Sequence, residues 1–234
     1  MLLAINTSTP QFSIAILQKS GCLLAEQVIS AGSRNFRTFM PAFHSLLKYS
    51  GAHPKDFSAV AVTIGPGSFT GLRVGIAFAK GLCQGLGVPI IGVSSLEALA
   101  SQCLEASIPI CPLVDSRKGE VFTALFQWSG EQKLVRMSED TCLMVDALPG
   151  FIKETSLFVG NDYDSQAPHV HQYLGPKAEV APPHLWNLRA SWVGWLGLRN
   201  AKEKGFDRVS DLFPFYLRAP EIRPNPLPQA ELFL

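Results

Sequence analysis

Apolar and polar positions change period several times along the chain. Residues 2–6, 12–17 and 22–30 are short apolar runs parted by the turn clusters Asn6-Thr7-Ser8-Thr9-Pro10 and Lys19-Ser20-Gly21, which predicts three strands in an antiparallel meander. Phe36, Phe39, Met40, Phe43, Leu46 and Leu47 then recur on one face of a helix, with Pro41 near its start or at a bend. Residues 59–64 read as a buried strand and 65–71 as a glycine-rich turn. Behind the turn, Leu72, Ile76, Ala79, Cys83 and Leu86 mark one helical face and Val74, Phe78 and Leu82 another, so this helix is expected to be covered on two sides. A strand over 89–93 follows, and Ser94 or Ser95 caps a helix running to about 103.

The second half begins the same grammar again. A strand over 108–114 ends at Asp115-Ser116-Arg117-Lys118-Gly119, and a strand over 120–128 follows, as 2–6, a polar turn and 12–17 did before. Later come a short strand at 157–160, a loop rich in Asp, Pro and His over 161–183, and a helix over 188–204. The tail from Pro220 holds Pro224, Pro226 and Pro228 and reads as extended. The expected organisation is two α/β lobes, 1–106 and 107–219, with a Pro-rich tail at 220–234.

Composition narrows the class. Of 234 residues, 47% are apolar and 17% charged, which excludes a disordered chain and supplies a sizeable core. The net charge of +1 argues against gripping nucleic acid by charge alone. Five cysteines, odd in number and without a C-x-x-C pair, argue against a disulfide framework or thiolate zinc site and fit a reduced cytosolic compartment. The opening Met1-Leu2-Leu3-Ala4-Ile5 lacks the basic start of a signal peptide, and the apolar stretch 60–93 is too interrupted to span a bilayer. A cytoplasmic, globular protein is expected.

The strongest local signal is Gly65-Pro66-Gly67-Ser68-Phe69-Thr70-Gly71-Leu72-Arg73, between a strand and a helix, where backbone N–H groups can hold an anion. No Gly-Lys-Ser/Thr follows, so it is not a Walker loop, and G-x-G-x-x-x-G is one residue longer than the dinucleotide fingerprint. The plainer reading is a tight turn that needs glycine. Asn6, Thr7, Gly65, Gly67, Ser68, Thr70 and Asp115 form the candidate nucleotide or anion loop. A magnesium nucleotide needs carboxylates in the first strand turn of each lobe. Asp115 supplies one, whereas Asn6 is neutral, which argues against autonomous ATP hydrolysis. His169 and His171 could chelate only on a strand and lack a third ligand, so no metal site is expected; no His-x-x-x-His and no G-x-S-x-G occurs. Gly71, Gly75 and Gly81 weaken the helix they occupy, which suggests a close neighbour, either the protein's own sheet or a second polypeptide. The Phe-Met stripe carries the same two readings, core or interface.

Leu3-Ala4-Ile5-Asn6-Thr7-Ser8, the run from Gly65 through Gly75, Val93-Ser94-Ser95-Leu96, Asp115-Ser116-Arg117-Lys118-Gly119-Glu120-Val121-Phe122 and Phe215-Tyr216-Leu217-Arg218 together resemble TsaB (YeaZ-type) proteins, in family order and over nearly the whole chain. The resemblance implies two ribonuclease-H-like lobes of the actin, sugar-kinase and chaperone-ATPase type. It implies a companion subunit in making N6-threonylcarbamoyladenosine on tRNA, with TsaD as the catalytic, metal-binding subunit and TsaE as an ATPase partner. It implies no catalytic residue, no required cofactor, and tRNA contact mainly through the partner. It places the TsaD contact on Phe36, Phe39, Met40, Phe43, Leu72, Arg73, Ile76, Ala77 and Lys80, and allows a homodimer through the same surface when TsaD is absent. This sequence departs from many members at Asn6, where they have Asp, and at Asn35, where they have His. A stand-alone ATPase or phosphotransferase of the same fold is the main alternative. A metallopeptidase is disfavoured, because no ligand pair is visible.

Overall fold

The computed structural model describes residues 1–30, 37–104, 106–129 and 133–218. Phe36, Asn35 and the Pro-rich tail lie outside the described residues. The first lobe is built on β1 (Leu2–Asn6), β2 (Gln11–Leu17), β3 (Leu23–Ser30), β4 (Ala59–Gly65) and β5 (Ile90–Ser94). They lie in the order β3-β2-β1-β4-β5, with the first three antiparallel and β4 and β5 parallel to β1. The central strand β1 is buried along its whole length, as a strand covered on both faces must be.

Helices α1 (Phe39–Ser50) and α2 (Phe69–Leu86) cover one face of this sheet. Pro41 falls in the first turn of α1, where its missing N–H costs no helical hydrogen bond. The helix ends at Gly51, in the left-handed conformation usual for such a stop. Ser68 caps α2 by accepting from the Gly71 N–H at 3.2 Å. The inward stripes meet Leu3, Ile5, Phe12, Val60 and Val62, and the rings of Phe39 and Phe43 each pack edge-on against Phe78 at 5.1 Å. Burial pushes the Cys83 thiol on this inner face up to about 11.

The second sheet repeats the order of the first. β6 (Ile110–Asp115), β7 (Glu120–Thr123), β10 (Thr141–Met144), β11 (Ser156–Gly160) and β12 (Ala178–Val180) run β10-β7-β6-β11-β12, again with two antiparallel pairings followed by two parallel ones. The run expected over 120–128 is broken in two, β7 and β8 (Phe126–Trp128), and β8 with β9 (Leu134–Arg136), which the sequence did not suggest, extends the sheet beside β6. The segment 161–183 is not a loop. It holds α5 (Tyr163–Leu174), capped by the Asp162 carboxylate accepting from the Ser165 N–H, and then β12. The Pro, Asp and His residues of α5 sit on its exposed side, while Gln166, Ala167, Val170 and Leu174 are buried, the last two packing with the short helix α4 (Leu148–Phe151).

Between the sheets lie α3 (Ser95–Ser101) and α6 (Ala190–Lys204). The stretch 107–219, expected as one lobe, sends α6 back across β1, β2, β4 and β5 of the first sheet. Gly194 and Gly197 permit this approach, since a methyl at either would press on Leu17 or Ala61. Glu26 on β3 pins the start of α6, accepting from Arg189 Nε and the Ser191 N–H, both at 2.9 Å.

Candidate functional site

Two regions carry the residues singled out by the sequence: a cleft where the lobes meet, and the outward side of α1 and α2. The cleft has a volume of about 330 Å³ and is lined by Gly67, Ser68 and Thr70 of the first lobe, Asp115 and Arg117 of the second, and Tyr216 and Arg218 of the closing segment, among others. Of the candidate anion-loop residues, Gly67, Ser68, Thr70 and Asp115 thus share one space. Asn6, Thr7 and Gly65 do not line it; they are buried beneath.

Most of the polar groups in and under this cleft are already engaged by the protein itself. Asn6 donates to Thr9 Oγ1 at 3.1 Å and to the Leu188 carbonyl at 3.0 Å, and its Oδ1 accepts from Ser8 Oγ at 2.7 Å. Ser68 donates its N–H to the Ser8 carbonyl at 2.7 Å, so the Gly65–Gly71 turn is clamped to the β1–β2 turn. A side chain at Gly67 would strike Ser8, which is why glycine stands there. On the opposite side, Asp115 accepts from Gln166 Nε2 at 2.6 Å and from Asn161 Nδ2 at 3.1 Å, and its own N–H donates to Asn161 Oδ1 at 2.7 Å. Asn161 and Gln166 follow β11 as the turn beginning at Pro66 follows β4. The second lobe therefore fills the matching position with its own amides. Sequence reasoning missed both residues because it read 161–183 as a loop; carrying the lobe repeat through to β11 would have placed them.

The segment 215–218 closes the cleft. Phe215 donates its N–H to the Ile64 carbonyl at 2.7 Å, and Arg218 pairs with Glu120 of the second lobe. The Tyr216 ring packs at a tilt against Phe69 with centroids 5.0 Å apart and its hydroxyl accepts from Arg73 Nε at 2.8 Å, while the Arg73 guanidinium lies 3.7 Å over the Phe69 ring. Among the described residues no three His, Cys, Asp or Glu side chains converge. His169 and His171 stand on α5, exposed on either side of the buried Val170.

The second region corrects the expected contact surface in part. Phe39, Phe43, Leu72 and Ile76 are 2%, 6%, 0% and 4% exposed, sealed against the protein's own sheet, so they are not offered to a second polypeptide. The helical stripe that marked them is the core stripe. Met40, Arg73 and Ala77 do face outward, and Lys80 is half-buried. The glycines of α2 divide the same way. Gly75 faces inward, where a methyl would collide with Thr7 Oγ1 and crowd Thr7 Cβ at 3.2 Å, whereas Gly81 and Gly85 face open space.

Comparison with known proteins is consistent across sequence and fold. The family described as "TsaD: tRNA N6-adenosine threonylcarbamoyltransferase" matches residues 30–180. The "tRNA threonylcarbamoyladenosine biosynthesis protein TsaB" of Bacillus subtilis is 34% identical over 223 residues, which covers 94% of this chain and 95% of that protein. YeaZ from Pseudomonas aeruginosa superposes with a TM-score of 0.75 at 22% identity, over 92% of this chain and 99% of that one. Component A of the (R)-2-hydroxyglutaryl-CoA dehydratase of Acidaminococcus fermentans superposes at 0.50 and 10% identity, over 86% and 99%. These likenesses and the repeated strand order give the fold as two ribonuclease-H-like lobes of the actin and sugar-kinase type. Among the described residues no helix is long and apolar enough to cross a membrane.

Proposed function

The chain belongs to the TsaB family of tRNA threonylcarbamoyladenosine biosynthesis proteins, and from that premise we propose that it acts as the non-catalytic subunit of a threonylcarbamoyltransferase, docking a TsaD-type partner on the outward side of α1 and α2. The observation that carries this reading is the division of α2 into two faces. Its inner face is consumed by the core, while its outer face presents Arg73 and Ala77 and the uncovered Gly81 and Gly85. Small residues let a second helix approach closely, and the ridge 73, 77, 81, 85 follows one i+4 row. Asp115 and Asn6 speak for the absence of a catalytic role, since each is held by side chains of its own lobe. In this reading the chain needs no cofactor, works in the cytoplasm, meets a TsaE-type ATPase only as part of the assembly, and leaves tRNA contact mainly to the transferase. The same face closes on a second copy when the transferase is missing.

Size-exclusion of the chain with its cognate transferase tests the reading. Ala77→Glu and Met40→Glu should abolish co-elution and lower threonylcarbamoylation in a reconstituted assay, with unfolding midpoints unchanged. Full complex formation and full modification by both variants would remove it. A self-contained phosphotransferase has one observation in its favour, the shared cleft of Gly67, Ser68, Thr70 and Asp115. Steady magnesium-dependent ATP turnover by the pure chain, lost in Asp115→Ala, would put that reading first.

A further inference from the structure

With Phe39, Phe43, Leu72 and Ile76 in the core, the outward sides of α1 and α2 offer a partner mainly polar, small or half-buried side chains. A stable interface takes about 800 Å² and roughly 20–30 residues from each partner. What α1 and α2 leave outside is Met40, Tyr49 and Ala77, the half-buried Leu47, Val74, Phe78, Leu82 and Leu86, and polar neighbours. A surface of that size draws on more than two helix faces, and one adjacent segment is joined directly to α2.

The segment 206–216 runs beside α2 and is joined to it. Lys80 Nζ donates to the Ser210 carbonyl at 3.3 Å and sits 4.7 Å over the Phe213 ring. One helical stretch earlier, Arg73 donates to Tyr216. The segment is fixed from behind: Asp207 accepts from the Gly92 N–H at 2.7 Å, Leu212 is buried, and Phe215 is bonded to Ile64. On this rail Phe213 is 68% exposed, more than any other phenylalanine among the described residues. A large aromatic held outward on firm backbone, with the Lys80 ammonium against its ring, has the composition of an interface anchor.

We propose that Phe213, beside Lys80, anchors the same TsaD-type partner, which would present an apolar pocket rimmed by carboxylates to match Arg73 and Lys80. The proposal rests on the helix-docking reading above and enlarges its surface.

Calorimetric titration of the full chain with its cognate transferase separates the two. Phe213→Ala should weaken binding about tenfold and Phe213→Leu less, with melting midpoints unchanged because the ring makes little of the core. Ala77→Glu should remove binding, and Tyr173→Ala, an exposed aromatic on the second lobe, should leave it as in the parent. Parent-like binding by Phe213→Ala while Ala77→Glu fails would overturn the anchor and leave helix docking standing. Parent-like binding by both would overturn both. Loss of self-association in sedimentation, with unchanged affinity for the transferase, would make a second copy the occupant and also overturn the proposal.

Discussion

The cleft between the lobes and the outer side of α2 begin within a few residues of each other, at Ser68 and Phe69, yet the chain treats them in opposite ways. In the cleft it turns its polar groups on itself: Asn161 and Gln166 hold Asp115, Ser8 holds Ser68, and the segment 215–218 lies across the opening. On the outer side of α2 it brings nothing of its own over Ala77, Gly81 or Gly85. Here the cleft between two ribonuclease-H-like lobes is held by the chain's own side chains and backbone. Pinning suits a subunit that must hold a shape, and bare helix suits one that must be held. The contrast can be broken by showing that the inner face is dispensable, that the cleft is free, or that the outer face is indifferent.

The inner face should give the largest effect. Phe39 is almost fully buried and packs against Phe12 and Phe78, so Phe39→Ala should lower stability by about 3–5 kcal/mol in urea unfolding. Phe39→Glu or Ile76→Glu should unfold the chain rather than release a folded monomer, since each would bury a charge. An unshifted urea midpoint for Phe39→Ala would mean that this stripe is surface after all.

The next effect lies where α2 meets the β1–β2 turn. Gly75→Ala forces a methyl against Thr7, which is wholly buried and has little room to shift, so it should destabilise by roughly 1–3 kcal/mol. In the cleft, Asp115→Asn replaces an acceptor with an amide whose NH₂ must face one of two amide donors. A loss of about 1–2 kcal/mol is expected, read as a lower thermal midpoint. If Asp115→Asn were neutral for folding, the claim that the carboxylate is consumed by Asn161 and Gln166 would fail, and the cleft would be open for a ligand.

How far the sequence carried the argument follows from the same division. The meander, the glycine-rich turn and helices α1 and α2 were legible, because period-2 and period-3.6 patterns there lie between clear turn signals. The helical stripe of Phe39, Phe43, Leu72 and Ile76 was legible as a stripe and misleading as a surface, since periodicity reports that a face is covered and not by what. Met40, Arg73 and Ala77 lie off that face. Helix α5 escaped notice because Pro168, Asp162, Asp164 and two histidines outweigh its four inward residues, and without it the amides that hold Asp115 could not be placed. The return of α6 to the first sheet could not be read at all, since no local pattern encodes which of two sheets a helix will cover.

The smallest effect is the sharpest probe of the outer face, because its two readouts should move in opposite directions. Gly81 sits inside α2 with nothing within 4 Å of where a side chain would project. Alanine there should stabilise the isolated chain by about 0.5–1 kcal/mol, because it relieves the entropy that glycine brings to a helix interior. If Gly81 is retained so that a partner helix can come close, the same methyl should weaken binding of the transferase several-fold, by roughly 1 kcal/mol. A melting midpoint that rises while the titration weakens would place the cost of that glycine on docking. A rise in both would mean that the outer face of α2 is ordinary solvent-facing helix, and the contrast with the cleft would lose its functional meaning.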